Sequence, residues 1–136
     1  MYDTTGSVQY QWLKQDLNAN TSMWTVVYFH HPPYTMGSHN SDSELDLVAI
    51  REKLTPLFEA KKVDVVLNGH SHNLERSWLI KGHTGLEATF SKTLHATDTS
   101  SARYDGSPNS CPYIKDSLTN KGVVYAAVSY YTSRCV

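Results

Sequence analysis

The chain has 136 residues, of which 40% are hydrophobic and 18% charged, with a formal net charge of -1. That length fits one domain and excludes a (β/α)₈ barrel, which needs about 200 residues or more. The balanced charge lacks the basic footprint of a nucleic-acid binder, and no apolar run reaches the roughly 18 residues of a membrane span.

Met1-Tyr2-Asp3-Thr4 at the start lacks the basic and apolar regions of a signal peptide. From Ser7 to about Asn18, Val8, Trp12, Leu13 and Leu17 recur at helical spacing, with Ser7 placed to cap the first turn. Met23 to Phe29 is β-branched, aromatic and almost continuously apolar, which predicts a buried strand. Pro32 and Pro33 stop it, because proline supplies no ladder donor and restricts the residue before it. Ser41 and Glu44 have the spacing of a capping box, so a helix is expected through Leu45, Val48 and Leu54. Thr55-Pro56 reads as a new cap and first-turn pair, opening a short helix from Leu57 to Lys61. Val63 to Leu67 is a second buried strand, halted by Asn68-Gly69. Leu74 to Ile80 and Gly122 to Tyr131 are further strand candidates.

The fold class is therefore α/β: a parallel βαβ core with flanking helices, in one domain spanning residues 1–136. Residues 82–120, rich in Thr, Ser, Gly and Asp, read as a loop-rich insertion. Cys111 and Cys135 could form one disulfide or remain thiols.

Both parallel strands run into histidine, the first into His30-His31-Pro32-Pro33-Tyr34 and the second into Asn68-Gly69-His70-Ser71-His72. In open α/β sheets, ligands bind beyond the carboxyl ends of the strands, so His30, His70 and His72 are expected to converge there. On extended backbone His70 and His72 face the same way, and Gly69 allows a close approach to an ion. Neutral imidazole is a common ligand for zinc and iron.

These segments, continuing through Asn73-Leu74-Glu75-Arg76, resemble the C-terminal half of calcineurin-like metallophosphoesterases, purple acid phosphatase-like branch. The resemblance covers roughly residues 7 to 80. It implies a metal-dependent phosphoester hydrolase whose complete form holds two metal ions (Fe, Zn or Mn), which polarise the ester and activate water. It implies that His30 and His70 ligate one metal and His72 the other. His39 falls where this branch places a histidine that contacts phosphate or protonates the leaving oxygen; an exposed polar loop residue is the other reading. His31 occupies the variable position of its motif and is not expected to be a ligand. Glu75 and Arg76 are expected to buttress the loop, and His83 and His95 to be surface residues.

Three histidines cannot fill two coordination spheres. The Asp, Gly-Asp and Asn-His motifs that supply the family's other ligands are not found among the residues before His30. The chain is therefore expected to be a fragment, weak or inactive alone. A missing N-terminal segment or a partner chain would supply the rest, and fewer metals are expected here. A phosphate ester is the implied substrate; no nucleic-acid or membrane partner is expected. The localisation stays open, although the branch leans toward export. The alternative is a non-catalytic α/β metal-binding or interaction domain.

Overall fold

A computed structural model describes residues 5–100, 106–108, 110, 111 and 122–129. Val8–Ala19 forms α1, and the Ser7 hydroxyl accepts from the Tyr10 amide at 3.2 Å, as the sequence predicts. Then follow β1 (Val26–Phe29), α2 (Leu45–Ala60), β2 (Val65–Asn68), β3 (Leu74–Arg76) and β4 (Leu79–Ile80). A 3₁₀ turn at Glu87–Thr89, α3 (Lys92–His95), β5 (Ala96–Asp98) and β6 (Val124–Val128) complete the described elements.

The main sheet has the order β1-β2-β6-β3. β1 and β2 are parallel, with Val26 opposite Val65 and Phe29 opposite Asn68, so the βαβ core is as expected. β6 joins β2 in parallel, and β3 closes the far edge antiparallel to β6. Leu74 to Ile80 is two strands rather than one. At Ser77 the chain leaves the main sheet: its amide donates to the Tyr125 carbonyl (2.8 Å) and its hydroxyl accepts from the Tyr125 amide (2.9 Å). Beyond that point β4 pairs with β5 in a separate two-stranded sheet.

Side chains alternate across a strand, and one face of this sheet carries the core. Val27, Phe29, Val66 and Tyr125 pack with Leu13 and Leu17 of α1 and Leu54, Leu57 and Phe58 of α2. Each fully buried aliphatic or aromatic side chain there contributes about 1.5–3 kcal/mol. The opposite face carries Val26, Leu67, Val128 and Tyr28, the last 82% exposed. The continuous apolar run of β1 therefore does not mark a strand buried on both sides, because α1 and α2 contribute to the same core cluster.

The helical crossover also differs from the sequence expectation. α2 runs unbroken through Thr55 and Pro56. Pro56 and Glu52 are both exposed, so the carbonyl that the proline leaves without an amide partner lies on the solvent side of the helix. Glu44, not Ser41, is the N-cap residue, and it makes no side-chain cap hydrogen bond. Ser41 is buried and turned instead toward Thr35, whose amide donates to its hydroxyl at 3.1 Å. His83, expected at the surface, is only 6% exposed; the Tyr34 hydroxyl donates to its carbonyl, and its ring meets Phe90 and His95. Cys135 and the end of the predicted last strand lie outside the described residues.

Candidate metal centre

β1 and β2 end side by side, and hydrogen bonds lock their carboxyl ends together. The Asn68 side-chain amide donates to the Phe29 carbonyl (2.9 Å) and the His31 carbonyl (3.4 Å), and the Gly69 amide donates to the His30 carbonyl (3.0 Å). Two segments distant in sequence thereby bring their imidazoles together. The rings of His30 and His70 lie 5.2 Å apart between centroids. A Cβ at Gly69 would stand 3.3 Å from the His30 Nδ1, closer than ordinary packing allows, so glycine permits this approach.

His70 itself has φ 63°, in the left-handed region. The Ser71 amide bonds back to the Gly69 carbonyl (2.7 Å) and the Asn73 amide to the Ser71 carbonyl (2.9 Å). The chain from Gly69 to Asn73 is thus a succession of tight turns, not the extended His-x-His pair expected from spacing. Ser71 is buried between an intermediate His70 and an exposed His72. The structure does not bring His72 into the cluster around His70; its amide instead donates to the Ser38 hydroxyl oxygen at 2.8 Å.

Among the described residues, two groups have ligand atoms within 4.8 Å of one another: His30, His31 and His70, and His39, Glu44 and His70. His31, set aside on motif position, lies 4.3 Å from the His70 ring. The His39 ring lies 3.8 Å from it, tilted by 31°. Glu44 is the residue that sequence reasoning misses. Its carboxylate accepts from the Asn40 amide (2.8 Å) and from His39 Nδ1 (3.0 and 3.1 Å), and it lies 3.8 Å from His70 Nε2. Its S-x-x-E spacing with Ser41 is the only sequence signal, and it points to a cap rather than a site.

The electrostatics favour neutral rings and an ionised carboxylate. Burial, then the neighbouring His39 and His30, lower the His70 pKa; burial, then His70 and His30, lower that of His31. The bond from the Asn40 amide, then that from His39, hold Glu44 below the usual carboxylate range. Neutral imidazoles with free lone pairs are what a metal requires, so these residues fit one.

A second tier of polar contacts fixes the loops. The Thr35 hydroxyl donates to the Glu75 carboxylate (2.5 Å) and lies 2.7 Å from the Ser71 hydroxyl, while the Met36 amide donates to the other Glu75 oxygen (3.0 Å). Glu75 therefore ties the loop after His30 to the loop carrying His70. Buried Arg51 donates to the Ser41 carbonyl (2.7 Å) and pairs with Asp42 (3.1 Å), anchoring the same loop to α2.

The calcineurin-like phosphoesterase profile matches residues 1–74. The chain belongs to that family. An uncharacterized protein of Mycobacterium tuberculosis is 33% identical over 87 residues, covering 61% of this chain and 16% of the relative. Purple acid phosphatase 22 of Arabidopsis thaliana is 40% identical over 74 residues, covering 52% and 16%. Purple acid phosphatase 1 of Ipomoea batatas is 36% identical over 75 residues, covering 52% and 15%. The chain thus resembles the purple acid phosphatase-like branch and aligns with about a sixth of the length of those relatives. The matched span includes both strand ends and the histidines that follow them.

Proposed function

We propose that this chain carries part of the metal centre of a phosphoester hydrolase, with His30 and His70 on one ion, His72 on a second, and His39 facing the substrate. The observation that carries the reading is the meeting of His30 and His70 at adjacent parallel strand ends, 5.2 Å between ring centroids. Metal ions held there would supply Lewis acidity toward the ester oxygens. The chain's own residues present imidazoles, hold two loops in register, and keep His39 beside them to orient the phosphate or deliver a proton to the leaving oxygen. Three histidines leave the coordination of a metal pair unfilled, so the remaining ligands come from a further segment or a partner chain, and turnover by this chain alone is at or near background.

Metal-dependent binding of orthophosphate, titrated calorimetrically with and without Mn²⁺ or Zn²⁺, tests the reading. Binding should require metal and disappear in His30→Ala and His70→Ala. Metal-independent binding, or none at all, overturns it. Hydrolysis of an aryl phosphate by the purified chain, lost in His70→Ala, would show that its own residues suffice.

A further inference from the structure

The loop after β1 and the N-terminus of α2 bring together a ligand set that the family assignment does not use. We propose that His39, Glu44 and His70 form a divalent-cation site of this chain's own, a two-histidine, one-carboxylate site with an open position for water or another oxygen ligand. Two of its three ligand separations are fixed by contacts already described: His39 Nδ1 to Glu44 Oε2 at 3.0 Å, and Glu44 Oε2 to His70 Nε2 at 3.8 Å. Ligands held at about 2.0–2.1 Å around a tetrahedral ion stand roughly 3.3 Å apart, so these distances bracket the requirement. Small side-chain rotations would admit a zinc-class ion without moving the backbone.

The other cluster is less well matched. His30, His31 and His70 offer no anion to offset a dication, and His30 is exposed, whereas His39, Glu44 and His70 are all partly buried. Two histidines and one glutamate with an open coordination position also form an established zinc arrangement. Nδ1 of His39 already faces the Glu44 carboxylate. As a metal ligand, Nδ1 would present its lone pair and the ring would carry its proton on Nε2. His70 belongs to both clusters, so an ion at this site competes with the His30–His70 pairing of the proposed hydrolase centre.

Zinc alone, titrated calorimetrically into the full chain, tests the site. One equivalent should bind, and Glu44→Gln and His39→Ala should each weaken it by at least about tenfold, the scale on which losing a metal's supporting group is felt. Circular dichroism should show both variants folded, because Glu44 and His39 are partly exposed. His31→Ala should bind within about twofold of the parent. Unchanged affinity in Glu44→Gln overturns the site, as does equal loss in Glu44→Gln and His31→Ala. The outcome is separable from the hydrolase reading. Phosphate binding lost in His30→Ala with zinc affinity intact in Glu44→Gln would sink this site and leave that reading standing; the reverse pattern would do the opposite.

Discussion

The residue that organises the candidate centre is also under backbone strain. His70 holds φ 63°, a left-handed conformation that costs an L-residue about 1–2 kcal/mol. The conformation persists because the turns on either side, the Gly69 amide on the His30 carbonyl and the buried Ser71 fix it from both ends. Removing the side chain should therefore reverse the usual order of alanine and glycine. His70→Gly is expected to be more stable than His70→Ala by about 1 kcal/mol in urea denaturation, since only glycine adopts this φ without penalty. Equal stabilities, or the opposite order, would show that no strain is stored there. Much of the site is legible in sequence: His30 and His70 announce themselves by following apolar strands. Glu44 is not, because its spacing to Ser41 imitates a cap and only the folded loop shows that Ser41 is bound to Thr35. His31 is hidden likewise: neighbours in sequence usually diverge, yet its ring shares the His70 contact.

At the scale of elements, α1, β1, β2 and β6 follow from hydrophobic patterning, and the errors concentrate where one residue type carries two meanings. Pro56 is the plainest. Proline opens helices at the first turn and interrupts them elsewhere, and the sequence at Thr55-Pro56 satisfies the former reading. In the fold, α2 absorbs the proline because Glu52, one turn earlier, is exposed. Thr55, buried beside it, spends its hydroxyl on the Arg51 carbonyl at 2.7 Å. The missing amide and the ring clash should still be expensive. Pro56→Ala is expected to stabilise the chain by about 1–3 kcal/mol: the helix preference of alanine over proline is roughly 3, reduced by the greater freedom of the unfolded chain. The urea midpoint should rise without a change in slope. A fall would mean that the pyrrolidine ring makes packing contacts worth more than the lost backbone bond. The split of Leu74 to Ile80 has a similar origin: both halves are strand-like, and the exchange of hydrogen bonds between Ser77 and Tyr125 decides where one ends.

The described fold places α1 and α2 against one face of a largely parallel sheet and gathers imidazoles at the strand ends and within the 83–95 segment. Parallel strands are apolar on both faces, so their composition cannot reveal which face the helices will take. Titration behaviour, by contrast, is set by that choice. Burial is the leading cause lowering the pKa of His31, His70 and His83 below 6.5, and neighbouring imidazoles add to it. Each ring releases its proton more readily in the folded chain than in the unfolded one. Below 6.5, and above the folded values, the unfolded chain therefore binds more protons, and stability falls as the pH falls. Glu59 acts in the opposite sense. Burial raises its pKa, so the folded chain binds the extra proton and gains stability on acidification. In the presence of a chelator, the urea midpoint should drop between about pH 7.5 and 5.5, and Glu59→Gln should make that drop steeper by removing the offset. His83→Asn, which takes away one of these three rings, should make it shallower. A midpoint in Glu59→Gln that stays level or rises over the same interval would show that these histidines are as free to protonate in the fold as outside it.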